Sequence, residues 1–297
     1  MNRKIAVLGR ARRNKNDEYY TRLEDIEAEL QHYPDEFRGK IVYCNCDDPE
    51  KSNFWRYFKE NFSRFGLKKL ISTYYQKDSL VCRTDYDGET VSRAPLRGDG
   101  DFRCPECVSI LDEADIVVTN PPFSLLREYI PLMVEHKKKF LIVVPWTCPT
   151  YSKIFPYIRD GFCQTGFTRC RKFTIADGSI AQVNAQWLSS MTEENSTLTI
   201  HRKNFRLPLT EHYNPEKYKK YDNFDAIEVK YLKNIPRDYP GLMGVPATYL
   251  QDPAPEQFEL IGCTNVPSRE APTGIAIKMN SHTKFTRIFI RNRNPER

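Results

Sequence analysis

EADIVVTNPPFSLLREY, residues 113–129, decides how this chain is read. Asp115–Thr119 is a short β-branched run, the composition of a buried strand. It stops at Asn120-Pro121-Pro122-Phe123, because two consecutive prolines cannot continue a ladder. Ser124 then stands at a helix-cap position, and helical spacing follows to about His136. A strand ending in a stiff turn that opens into a helix is half of a βαβ unit.

The same pattern repeats on both sides. Downstream, FLIVVP (Phe140 to Pro145) reads as the next buried strand. Upstream, KIVYCNC (Lys40 to Cys46) is another, ended by Asp47-Asp48-Pro49. Phe54, Phe58, Phe62 and Phe65 recur at helical spacing, and Gly66 is a natural C-terminal stop. LKKLISTYY (Leu67 to Tyr75) is a further strand. Residues 16–38 form a helical lead-in with Ile26 and Leu30 on one face. Residues 78–103 are polar and turn-rich, and read as loops or short hairpins. Strands alternating with helices at this spacing predict a doubly wound α/β sheet. Ligands in such sheets sit outside the carboxyl ends of the strands. CNCDDP and TNPPF both end strands, so they are expected to share one crevice.

Beyond about residue 190 prolines recur, aromatics are dense and helical periodicity fades. The expected organisation is a catalytic and cofactor-binding domain over residues 1–190. A smaller, irregular, β-rich region over 191–297 would handle target recognition.

The totals exclude several classes. With 40% hydrophobic residues in 297, a sizeable core is available. No apolar run reaches the roughly 20 residues of a membrane span, and the first 20 residues lack a secretory signal. Nine scattered cysteines fit a reduced protein better than a disulfide framework. The expectation is a cytoplasmic protein with no membrane association, monomeric for want of a coiled coil. Cys104-x-x-Cys107 has zinc-ribbon spacing but no second pair, so no metal is expected. A Gly-Lys-Ser/Thr phosphate loop, a Ser-His-Asp arrangement and a nuclease-like carboxylate cluster are absent.

The net charge of +6 is carried by the two ends. Residues 1–15 hold six Lys/Arg and no acid; residues 278–297 hold six and one acid. Such arms suit a polyanion or are solvated tails; charge alone leaves both open. The candidates for phosphate contact are Arg12, Arg13 and Lys15 at the N-terminus, and Arg169, Arg171 and Lys172 after a Gly-rich turn. Arg287 and Arg291 join them near the C-terminus. On a strand, odd-numbered residues share a face, so Arg287, Arg291 and Arg293 would form a basic stripe along a DNA backbone, or guard an exposed edge. His136-Lys137-Lys138-Lys139 complements a helix dipole.

The chemistry that suits Asn120-Pro121-Pro122-Phe123 is transfer to an exocyclic amine. The lone pair of such an amine is delocalised into the ring, so the nitrogen is a poor nucleophile. Acceptors on its N–H groups let it become tetrahedral and carry developing positive charge. The Asn120 side chain supplies one acceptor and the Pro121 carbonyl a second. Pro121 and Pro122 stiffen the turn and add no competing N–H. Phe123 is placed to stack on a base. A paired base cannot enter such a pocket, so base flipping is implied, at a cost of a few kcal/mol. The plainer reading of Asn-Pro-Pro is a strand-ending turn; its position between a strand and a helix favours the functional one.

Long strings across the chain resemble the EcoRI-type family of adenine-specific DNA methyltransferases. They are KNDEYYTR (15–22), IVYCNCDDPEKSNFWRYF (41–58), GDGDFRCPEC (98–107), EADIVVTNPPFSLLREY (113–129), YDNFDAIEV (221–229), and DYPGLMGVPATYL with EQFELIG (238–262). Cofactor segments before NPPF and a C-terminal region after it match the gamma arrangement of amino-methyltransferases. The resemblance implies a Rossmann-like S-adenosylmethionine-dependent methyltransferase sheet, with S-adenosylmethionine as cofactor and double-stranded DNA as partner. It implies site-specific methylation of the 6-amino group of a flipped adenine, with no need of a cognate restriction endonuclease. It places Tyr20 and Thr21 near the methionine part of the cofactor. It sets Cys44, Asn45, Asp47 and Asp48 where related enzymes carry a Gly-rich loop. Read from the residues alone, Asp47 and Asp48 are ligands for an ammonium or ribose, or else turn and cap residues. Asp101 would accept from the cofactor's adenine, and Phe102 would stack on it. One segment departs from the family: where a Trp-Phe-Thr-Asn-type string is expected, AQVNAQWLSSM keeps only Trp187. The alternatives are an RNA adenosine or protein glutamine methyltransferase on the same fold, and a catalytically silent DNA-binding protein.

Overall fold

The apolar runs become strands. The computed structural model describes residues 19–77, 79–175, 177–264, 266, 277–280, 282–283 and 285–296. It begins with β1 (Tyr20–Thr21) and α1 (Leu23–Leu30), whose Ile26 and Leu30 are buried. β2 (Ile41–Cys44) is buried at all four positions. Ser52 caps α2 (Asn53–Glu60), its Oγ accepting from the Phe54 N–H at 3.0 Å. α3 (Phe62–Phe65) ends at Gly66, which takes the left-handed φ of 61° that glycine tolerates. Then come β3 (Lys69–Ser72), β4 (Cys82–Tyr86), β5 (Val91–Pro95), α4 (Pro105–Glu113) and β6 (Ile116–Thr119). α5 (Leu126–Glu135), β7 (Lys139–Pro145), α6 (Phe155–Arg159), β8 (Gln164–Thr174) and β9 (Ile180–Ser189) follow.

The chain divides into two compact units. One runs to Trp146 and resumes over Gly166–Met191; the other comprises Thr147–Thr165 and the chain from Thr192 on. The second unit therefore includes residues 147–165, which lie within the 1–190 span of the expected catalytic domain.

The first unit is built on a nine-stranded mixed sheet in the order β1-β8-β9-β7-β6-β2-β3-β4-β5. β3, β2, β6 and β7 are parallel neighbours. β1 with β8, β7 with β9, β3 with β4 and β4 with β5 pair antiparallel. From β2 the chain passes to β3 on one side, and later returns to β6 and β7 on the other. The order thus reverses between β2 and β6, and that reversal opens a crevice at the strands' carboxyl ends. CNCDDP and NPPF flank it.

One expectation, the Ser124 cap, needs correction, and two further segments gain definition. The turn-rich segment 78–103 contains a true hairpin, β4 and β5, that extends the sheet. Its signal is weak because β5 is exposed throughout and β4 buries only Thr84. Ser124 does not cap a helix: Phe123–Leu125 forms a 3₁₀ turn, and α5 starts after it without a side-chain cap. Cys104-x-x-Cys107 marks the start of α4, where the Cys104 Sγ accepts from the Cys107 N–H at 3.4 Å.

In the second unit, α7 (Thr197–Asn204) is followed by β10 (Ile227–Glu228), β11 (Leu242–Pro246), β12 (Phe258–Cys263), the short pair β13 (Lys278–Met279) and β14 (His282–Thr283), and β15 (Arg287–Asn292). Four of these strands form a sheet in the order β10-β11-β15-β12. Its core includes Ile227, Met243, Val245, Phe258, Ile288 and Ile290. Arg202 is buried in this unit, donating to Asp252 at 2.9 Å and to the carbonyls of Thr165 and Gln251.

All nine cysteines are free, and Cys44, Cys107, Cys148, Cys163, Cys170 and Cys263 are buried. Among the described residues, no helix is long and apolar enough to cross a membrane, and no cluster of His, Cys, Asp and Glu is suited to a metal ion.

Candidate active site

The segments that follow β2, β3 and β6 enclose a cavity of about 650 Å³, together with residues 19–21, 52–54 and 100–103. That volume suits a ligand of nucleoside size. Every lining residue belongs to the first unit.

Asp47 ties the crevice together. Its carboxylate accepts from the Ser52 hydroxyl at 2.6 Å and the Thr119 hydroxyl at 2.5 Å. Its carbonyl accepts from the Ser72 hydroxyl, and its N–H donates to the Thr73 carbonyl. One residue thus joins the ends of β2, β3 and β6 and the start of α2. Burial pushes its carboxyl up to about 6, against the pull of the two hydroxyls. Beside it, Asn45 is buried and accepts from the Tyr129 hydroxyl at 2.5 Å. Asp48 pairs with Lys51 at 3.4 Å and accepts from the Glu50 N–H.

Asn120 follows β6 directly. Its Nδ2 donates to the carbonyl of Tyr19, while its Oδ1 is buried without a partner among the described residues. Thr21 Oγ1, on the same cavity, is likewise buried and unpartnered. Unmade bonds at buried polar atoms are costly, so both are groups that a ligand would satisfy. Phe123 lies nearly parallel to the ring of Tyr19, centroids 6.1 Å apart, with Phe173 edge-on to both.

The opposite wall rests on backbone close approach. Gly100 has φ of +78°, and a Cβ there would come within 1.9 Å of the Tyr74 carbonyl oxygen. This packs residues 98–101 onto 74–76, where the Gln76 N–H also donates to the Asp99 carbonyl. Asp101 is held below the ordinary carboxylate range by hydrogen bonds from Arg103, at 2.7 and 2.9 Å, with burial opposing. Phe102 packs edge-on against Tyr129 at 5.0 Å.

The family described as "Adenine-specific methyltransferase EcoRI" matches residues 7–88 and 79–294. The type II methyltransferase M.EcoRI of Escherichia coli is 38% identical over 97% of this chain and 96% of its own. M.MgeORF184P of Mycoplasma genitalium is 35% identical over 97% and 95%, and M.MpnI of Mycoplasma pneumoniae 35% over 95% and 92%. The chain belongs to the EcoRI-type adenine-specific methyltransferases. No solved structure matches it.

In this methyltransferase the cavity gathers Tyr20, Thr21, Asn45, Asp47, Asp48, Asp101, Phe102, Asn120 and Pro122. Pro121 is buried in the turn, and Phe123 stands in the aromatic group beside the cavity. Cys44 does not reach the cavity: it is fully buried inside β2, and Cys46 lines the wall instead. Trp187 is a core residue, edge-on to Phe54 at 5.8 Å.

The basic residues separate into three groups. Arg12, Arg13 and Lys15 lie outside the described residues. Arg169, Arg171 and Lys172 are exposed on β8, just ahead of Phe173. The stripe expected at Arg287 and Arg291 is not formed. β15 is paired on both sides, and Phe289 between them is buried. Arg287 is 13% exposed and grips Glu228 at 2.6 Å. Glu228 also accepts from the Tyr221 hydroxyl, and Arg291 pairs with Glu259 at 3.4 Å.

Residue reading missed Tyr19, Ser52, Asn53, Thr119 and Phe173. Ser52 is signalled as a serine ahead of a helical run. The Tyr19 contribution, a backbone carbonyl, has no side-chain signature.

Proposed function

We propose that this chain is a type II modification enzyme that methylates the 6-amino group of adenine in double-stranded DNA, with S-adenosylmethionine as methyl donor. The carrying observation is the Asn120 amide, whose donor is engaged by Tyr19 and whose oxygen is buried and unpartnered. That oxygen is an acceptor pre-aimed at an amine N–H. The Pro121 carbonyl takes the second N–H, so the nitrogen gains electron density as it becomes tetrahedral. Phe123 stacks on the flipped base.

The residues fit the donor. Thr21 Oγ1, Asn45, Asp48, Asp101 and Phe102 offer a hydroxyl, an amide, two carboxylates and an aromatic face in one cavity at the switch between β2 and β6, as a Rossmann-like arrangement requires. When bound, S-adenosylmethionine supplies an electrophilic methyl group; the chain supplies orientation and charge stabilisation. Arg169, Arg171 and Lys172 contact phosphates.

The test is methyl transfer from labelled S-adenosylmethionine to unmethylated duplex DNA, followed by nucleoside analysis. Methyladenine is expected. Label in RNA or protein alone moves the substrate, and donor binding without transfer identifies a silent binder.

A further inference from the structure

An Asn side chain carries a donor and an acceptor on one planar tip, and a half-turn exchanges them. Only one orientation offers oxygen to an amine. Here the Tyr19 carbonyl accepts from Nδ2 and leaves Oδ1 unpartnered. That carbonyl is itself held. Tyr19 is buried, its ring is nearly parallel to Phe123 and edge-on to Phe173 at 6.0 Å, and Phe173 pairs with Thr21 in the β1/β8 ladder. Asn53 Nδ2 donates to the Thr21 carbonyl at 2.8 Å.

We infer that Tyr19 is a positioning residue for methyl transfer: packed against Phe123 and Phe173, it keeps its carbonyl behind the Asn120 amide and so keeps the amide oxygen toward the target amine. This rests on the reading of Asn120 as the amine acceptor. A flipped amide would present N–H to N–H, which repels.

A carboxylate at position 120 removes the need for this device, since both its oxygens accept. The experiment is single-turnover methylation of an adenine-containing duplex, with duplex and S-adenosylmethionine saturating. Tyr19→Ala, Tyr19→Leu and Tyr19→Phe are compared in the parent chain and in Asn120→Asp, with donor affinity measured by calorimetry. In the parent, Ala and Leu are expected to slow transfer by about tenfold or more, while Phe stays within about twofold. Tyr19 also lines the donor cavity, so any loss of donor affinity is expected to be the same in both backgrounds, and saturation keeps it out of the measured rate. In Asn120→Asp, itself slower, the same changes cost less than about twofold. Leu retains apolar bulk, so a folded variant is in hand if Ala melts. Equal fold-losses in both backgrounds, a loss located in donor affinity alone, or an Asn120→Asp chain with no transfer at all would overturn the inference. Failure of the underlying reading is separate: it shows as near-normal rates in Asn120→Ala.

Discussion

In the proposed reaction Asn120 carries the chemistry, and Asp47 ties together the elements around it. Removing one preorganised hydrogen-bonding group from a site of this kind costs about 10²–10³ in rate. Asn120→Ala is expected to lose at least that much in single-turnover transfer, with the thermal melt unmoved; near-parental turnover would take Asn120 out of the mechanism. Asp47 has a different signature. Its carboxyl is raised in the folded protein, to about 6. A raised carboxyl favours the folded state only while protonated, so the contribution is present below the unfolded value of about 4 and lost as pH rises through about 6. A rise of that size corresponds to about 3 kcal/mol. In urea unfolding, Asp47→Asn should therefore show a stability difference from the parent that shifts by about that amount between about pH 4 and pH 7. Parallel profiles would mean Asp47 does not titrate in that window.

Among elements, legibility followed burial. β2, β6 and β7 are buried along their central positions and read directly as apolar runs, and Gly66 stops its helix as its position suggests. Turn residues point to loops or short hairpins over 78–103, but the bounds of β4 and β5 and their place on the sheet were not legible, because a mostly exposed edge carries almost no apolar period. The NPPF turn was legible because two consecutive prolines after a β-branched run end a strand by their residue type alone. What was not legible is what arrives from a distance. Thr119 meets Asp47 across 72 positions, and Asn120 meets Tyr19 across 101. The loop at Gly100 belongs to this scale too. Gly100→Ala adds a left-handed strain of about 1–2 kcal/mol and drives a methyl group at the Tyr74 carbonyl. Both loops line the cavity, so S-adenosylmethionine binding by calorimetry should weaken, with only a modest fall in melting temperature. Unchanged affinity would exclude residues 98–103 from the donor site.

For the whole molecule, the net charge is a poor guide to which cations face a polyanion. Arg287 and Arg291 look equivalent to Arg169 and Arg171 in sequence; Arg287 has its partner Glu228 59 positions away, in the same four-stranded sheet. Arg287→Ala leaves the nearly buried Glu228 carboxylate without its counter-charge, with the Tyr221 hydroxyl still donating to it, a defect of about 3–5 kcal/mol. It should lower the stability of the second unit and leave the salt dependence of DNA binding alone. Neutralising Arg169, Arg171 and Lys172 together should do the reverse, reducing the slope of log affinity against log salt by up to about 0.9 for each phosphate no longer neutralised. Fluorescence anisotropy across a salt series distinguishes the two; an unchanged slope in the triple variant would remove β8 from the DNA-contacting surface.

The nine free thiols give the molecule an internal clock. Burial pushes Cys44, Cys163 and Cys170 above the ordinary thiol range, and Cys107 up to about 12. A buried, protonated thiol does not react with an alkylating reagent until the chain opens around it. Cys44, Cys107 and Cys170 sit in the first unit, Cys148, Cys163 and Cys263 in the second. Mass-resolved alkylation over time therefore times the opening of each unit separately, with no substitution introduced to report it.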